Sequence, residues 1–235
     1  MENKPVQFVL GFDVALSGAG VAVLETATGR IVADGRAMTR GQSEILVPMI
    51  QETMTRAGVG FDRLDLIVTT VGPGGFTGLR IGLSTARSLG LALDIPVAGV
   101  RTTDTIIKKI QSKNNRLEGN LLVIIDTKRS DFYFSLSTDV ENPGIADAGM
   151  LLERWGGQSM VLAGDGVPRL HSELGSRWPS AWQRVDGYDL PDPEMLARLG
   201  YDYFQAGTVL PPEPLYLRGA DVSQSKQNIR SIAES

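Results

Sequence analysis

Residues 64–93 constrain this chain most. They open with Leu64-Asp65-Leu66-Ile67-Val68-Thr69-Thr70-Val71, a β-branched and almost wholly apolar run that suits a strand buried on both faces. Gly72-Pro73-Gly74-Gly75-Phe76-Thr77 follows, a glycine-rich turn that no regular element absorbs. Residues 78–93 are long and periodic enough for a helix, and Thr77 is placed to cap its first turn. Strand, glycine turn and helix make an α/β building block. Free N–H groups at such a turn can cradle an anion, but a P-loop ends in Gly-Lys-Ser/Thr, and the only cation here is Arg80. The other reading is a tight turn whose glycines take positive φ.

Elsewhere the chain repeats itself. Residues 6–15 form an apolar strand with Asp13 at its tip. Residues 17–20 turn, residues 21–24 start a second strand, and residues 30–38 a third, which makes an antiparallel meander. Residues 43–57 carry Ile45, Leu46, Met49, Ile50 and Met54 on one helical face, with Pro48 expected to kink that helix or confine its regular part. Residues 96–100 read as a strand and 102–113 as a helix. Residues 114–120 are polar and mark the expected boundary between an N-terminal subdomain, 1–113, and a C-terminal subdomain, 114–235. The second half restarts with a strand at 121–126 ending in Asp126, a turn, and a strand at 131–136. Residues 160–166 echo the strand and glycine turn of 66–75, and residues 193–205 form a helix with proline at its start. Residues 211–218 close as an extended stretch. Two related halves of this kind build the actin-like ATPase fold, an α/β duplication with phosphates held between two Asp-tipped turns.

The candidate chemistry is sparse. Asp13 and Asp126 either face one another to hold a magnesium phosphate or each close a turn. Gly164-Asp165-Gly166 reads as a turn. His171 is the only histidine and there is no cysteine, so a two-histidine metal centre, a thiolate site and a thiol nucleophile are excluded, and no catalytic residue is assigned. The net charge of −4 argues against unaided grip on nucleic acid, and the clusters Lys108, Lys109, Lys113, Arg116 and Lys128, Arg129 read as solvated positions. No apolar run approaches a membrane span, and Met1-Glu2-Asn3-Lys4-Pro5 lacks the features of a signal peptide, so a cytoplasmic home is expected. Gly78, Gly82, Ala86 and Gly90 recur every fourth residue as a row along one helix. Glycine inside a helix costs about 1 kcal/mol relative to alanine, so close packing must offset it. The row packs on this chain's own sheet or the 43–57 helix, or on a partner's equivalent helix, and both can hold at once if different faces are used. In the second case Met49, Ile50, Leu79 and Leu83 fill the apolar centre of a four-helix interface.

Gly72-Pro73-Gly74-Gly75-Phe76-Thr77-Gly78-Leu79-Arg80-Ile81-Gly82 closely resembles the GPGSFTGLRIG signature of the bacterial TsaB (YeaZ) family, with Gly75 where serine is usual. The Asp13 strand and turn, Leu46-Val47-Pro48-Met49-Ile50, Ile125-Asp126-Thr127-Lys128-Arg129 with Tyr133, and Pro214-Leu215-Tyr216-Leu217-Arg218 fall in the family's order. Val14-Ala15-Leu16-Ser17 departs from the Thr or Ser that usually follows the first aspartate.

The resemblance implies an actin-like fold in two subdomains. It also implies a non-catalytic role in making N6-threonylcarbamoyladenosine at position 37 of tRNA. The partners it implies are the metal-binding transferase TsaD and the ATPase TsaE, with a homodimer when the chain is alone and tRNA met only through the complex. No tightly bound cofactor is expected. A vestigial nucleotide site would use Asp13, Gly74, Gly75 and Asp126, with ATP and magnesium only at a shared interface. The pairing surface would be Met49, Ile50, Gly78, Leu79, Gly82, Leu83, Ala86 and Gly90. The competing reading is a stand-alone ATP-dependent kinase or ATPase of the same fold.

Overall fold

The computed structural model describes residues 5–113, 120–215 and 217. The first half runs β1 (Phe8–Asp13), β2 (Gly18–Glu25), β3 (Ile31–Ala37), α1 (Gln42–Ala57), β4 (Leu66–Gly72), α2 (Phe76–Leu93), β5 (Val97–Arg101) and α3 (Thr102–Lys113). Its sheet has the order β3-β2-β1-β4-β5, with the meander antiparallel and β1, β4 and β5 mutually parallel. The second half runs β6 (Asn120–Asp126), β7 (Phe132–Leu136), β8 (Asp139–Ala146), α4 (Ala148–Trp155), β9 (Met160–Ala163), α5 (Val167–Leu174), β10 (Trp182–Arg184) and α6 (Pro193–Ala206). Its sheet repeats the pattern in the order β10-β9-β6-β7-β8. The duplicated α/β architecture expected from the sequence is therefore present. Residues 114–119 of the polar stretch, Arg116 among them, lie outside the described residues, as do Tyr216 and Arg218 of the last motif.

Burial explains why β4 carries no polar alternation. Leu66 and Val68 pack on one side with Leu196, Ala197 and Leu199 of α6. Ile67 packs on the other with Met49, Ile50 and Ala86 of α1 and α2. Each such side chain contributes about 1.5–3 kcal/mol by leaving water. The strands of the two sheets fall on either side of residues 114–119, but two helices cross over. α3 lays Ile106, Ile107 and Ile110 on Leu121, Val123 and Ile125 of the second sheet, and α6 covers the first.

Several local expectations are corrected. Thr77 does not cap α2: the helix already begins at Phe76, so Thr77 lies inside its first turn, and the N-cap is Gly75, which has no capping side chain and gives its N–H to the Ala15 carbonyl at 2.7 Å. Helix α1 continues on both sides of Pro48. Strand β8, helix α4 and strand β10 were not anticipated. β8 is a polar edge strand containing Pro143, which a sheet tolerates at its edge. α4 has eight residues and is fixed by Asp147, whose carboxylate accepts the Met150 N–H at 2.9 Å.

Candidate functional site

The carboxyl end of β1 places Asp13 beneath the turn into β2. One carboxylate oxygen accepts the Ala15 N–H at 3.0 Å and the Thr70 hydroxyl from β4. Asp13 is buried, and burial pushes its pKa up to about 6 against those two hydrogen bonds. It lines a cavity of about 240 Å³ with Gly18, Gly20, Ile106, Lys109, Lys113 and Tyr188.

The glycine turn stands beside it. Gly72 takes a φ of 114°, which only glycine adopts readily. The remaining glycines are explained by how closely the β1–β2 turn approaches. A Cβ on Gly74 would stand 2.7 Å from the Ala15 carbonyl oxygen, and one on Gly78 would overlap the Val14 carbonyl. The first N–H that could cradle an anion, that of Gly75, is already given to Ala15. That N–H is therefore withdrawn from the set that an anion would use in a phosphate loop. Arg80 leans over the Phe76 ring at 3.7 Å.

The second aspartate tip is neutralised by its own neighbours. Asp126 accepts the Lys128 N–H at 2.7 Å, Lys128 Nζ at 2.9 Å and an Arg169 guanidinium nitrogen at 2.6 Å. Its N–H reaches Asp165 at 2.9 Å. Burial pushes the Asp126 pKa up, but the Lys128 hydrogen bonds and the Lys128 and Arg169 charges outweigh it and hold the carboxyl below its ordinary value. Arg169 also donates to the Arg129 and Asp131 carbonyls and lies over Phe132 at 3.9 Å. Asp13, Gly74 and Gly75 thus meet at Ala15, while Asp126 stands with Asp165, Lys128 and Arg169. Sequence reading missed Arg169, which lies 43 residues from Asp126. His171 sits on α5 with its ring edge-on to Trp178 at 4.7 Å.

The small-residue row faces inward. Gly82 lies over Thr69 and Val14, Gly90 over Val97, and Ala86 is fully buried. Leu79, Leu83, Met49 and Ile50 are buried too. The outer faces of α1 and α2 instead present Val47, Phe76 and Leu91, which are 50%, 57% and 86% exposed.

The raised Asp13 pKa sets a pH dependence. A carboxyl whose folded pKa exceeds its unfolded value makes the native state bind the extra proton. That contribution is full below 3.8 and is lost as pH rises through about 6. For a shift from 3.8 to about 6 this is on the order of 3 kcal/mol. Asp104 is raised to about 6 by burial in the same sense. Asp13→Asn is expected to flatten the decline in urea midpoint between pH 5 and pH 7, and an unchanged slope would contradict the assignment.

Comparison with known proteins follows the same outline. The model of TsaD, tRNA N6-adenosine threonylcarbamoyltransferase, matches residues 36–148. The tRNA threonylcarbamoyladenosine biosynthesis protein TsaB of Escherichia coli is 27% identical over 231 residues, covering 89% of this chain and 94% of that protein. Its Haemophilus influenzae namesake is 25% identical over 226 residues, covering 89% and 93%. An uncharacterized Mycobacterium leprae protein, ML0378, is 33% identical over 141 residues, and the match spans 57% of this chain but only 36% of that relative. YeaZ from Pseudomonas aeruginosa superimposes with a TM-score of 0.75 at 22% identity, over 90% of this chain and 100% of that one. The chain thus resembles the TsaB proteins along most of its length and shares the duplicated α/β fold of the YeaZ structure.

Proposed function

We propose that this chain is a non-catalytic subunit of the machinery that makes N6-threonylcarbamoyladenosine at position 37 of tRNA. The observation that carries the proposal is the near full-length match to the E. coli protein of that biosynthesis. In this reading the chain pairs with a TsaD-like transferase and recruits a TsaE-like ATPase in the cytoplasm, and the isolated chain forms a homodimer. The transferase and the ATPase supply the chemistry. Two features support a supporting role: the Gly75 N–H already given to the Ala15 carbonyl and the self-neutralised Asp126. Nucleotide and magnesium then belong to an interface shared within the complex. The net charge of −4 supports a reading in which tRNA is met through the assembly rather than by this chain alone. Among the described residues no helix is long and apolar enough to cross a membrane.

The pairing face in this proposal is the outer side of α1 and α2. The row of half-buried Gly78 and buried Gly82, Ala86 and Gly90 sets how those helices sit on the sheet, with Met49, Ile50, Leu79 and Leu83 beneath, and Val47 and Phe76 form the apolar contact. Size-exclusion chromatography with light scattering of the chain mixed with a TsaD-like partner is expected to give a stable heterodimer. Val47→Glu combined with Phe76→Glu should abolish it while leaving circular dichroism unchanged, because both residues are exposed. A folded double variant that still pairs places the interface elsewhere.

A further inference from the structure

Three glycines of the first sheet remain unexplained by the turn at residue 72. Gly18 and Gly20 alternate on one face of β2, and Gly35 pairs with Gly20 from β3. The chain leading into α6, together with Pro193 at the first position of that helix, lies on this side-chain-free stripe. A Cβ on Gly18 would stand 2.7 Å from Leu190, one on Gly20 would stand 3.2 Å from Pro193, and one on Gly35 would stand 3.9 Å from Pro193.

The covering segment has few ties of its own. Residues 186–191 have no regular secondary structure, and among the described residues they make no backbone hydrogen bond to the rest of the protein. At its start Gly187 takes a φ of 83°, with open space where a Cβ would stand. At its end Asp192 caps α6, accepting the Met195 N–H at 2.9 Å. The other carboxylate oxygen of Asp192 meets Lys109 Nζ at 2.7 Å. Lys109 belongs to α3, the helix packed on the second sheet. One ion pair therefore ties the segment to the opposite half of the molecule, directly over the cavity that Asp13 lines.

We propose that residues 187–193 are a lid over the Asp13 cavity, hinged at Gly187 and latched by Lys109 and Asp192. In the closed state Leu190 and Pro193 lie on the glycine stripe and Asp13 is shut off from bulk water. Opening swings Leu190 off Gly18 and exposes Asp13 and Ile106 together. The inference rests on the cavity and its cover and does not depend on the tRNA role.

The absence of cysteine makes the test clean, because one introduced thiol is unique. Ile106 lines the cavity and is 1% exposed, so Ile106→Cys reports opening through its rate of alkylation. Lys109→Met is expected to speed labelling roughly tenfold, the loss of one charge-assisted hydrogen bond. Asp192→Asn keeps the cap and should match it, and combining the two should add nothing further. The labelling rate should depend only weakly on urea, since opening exposes little surface. If Ile106→Cys does not fold, Gly20→Cys, at a buried position under Pro193, carries the same measurement. Labelling that Lys109→Met leaves unchanged, or that follows the steep urea dependence of global unfolding in every variant, overturns the lid.

Discussion

Gly78→Ala is expected to destabilise the protein at or above the upper end of the ~1–3 kcal/mol typical of overpacking, whereas Gly82→Ala is expected to be neutral or stabilising by up to ~1 kcal/mol. Both are glycine-to-alanine changes in the same helix and the same row, so helix propensity favours both alike. They differ in what the new methyl group meets. At Gly78 it overlaps the carbonyl of Val14, a backbone atom in the turn that also holds Asp13. That turn cannot yield without moving Ala15, whose carbonyl takes the Gly75 N–H and whose N–H serves Asp13. At Gly82 the methyl stands 3.4 Å from Thr69 and Val14 side chains, an ordinary contact. Urea denaturation midpoints of the two variants decide the matter. Equal stability of Gly78→Ala and the parent would mean that the turn is not packed against the helix as described.

The same comparison shows what the sequence discloses and what it hides. The two halves were legible because each begins with an apolar strand ending in aspartate, at Asp13 and Asp126, and each has a later strand running into a glycine turn. Gly72 and Gly164, at equivalent places, have φ values of 114° and 105°. The buried β4 was legible for a similar reason, since a strand covered on both faces needs no polar alternation. The outer elements of the second half were not. β8 carries Asp139, Glu141, Asn142 and Pro143 because it is an edge, and a polar edge reads like a loop.

The meaning of the glycines was hidden for a different reason. A phosphate cradle and a close backbone approach both need a missing Cβ, and only tertiary contact separates them. Val14 and Ala15 supply that contact from about sixty residues away in the chain. The same limit applies to Arg169, which reaches Asp126 from α5. An arginine one turn into the helix that follows the second glycine turn was the available signal. The row along α2 offered two packing partners, and the structure seats it on the chain's own sheet. The pairing face proposed above is therefore built from residues with exposed side chains rather than from the row itself.

The largest functional effect is expected from leaving the chain out. If the chain is a required but non-catalytic subunit, the transferase and ATPase hold the chemistry and this chain holds the assembly in its working form. Omitting it should then remove nearly all product, an effect far larger than that of any single substitution in a binding face. The direct measurement is N6-threonylcarbamoyladenosine in tRNA, read by mass spectrometry of nucleosides after incubation with a TsaD-like transferase, a TsaE-like ATPase and an activated threonylcarbamoyl donor. The account predicts product when this chain is present with its partners, background when it is omitted, and background when it is incubated with tRNA and donor alone. Full yield without the chain, or product formed by the chain alone, would contradict it.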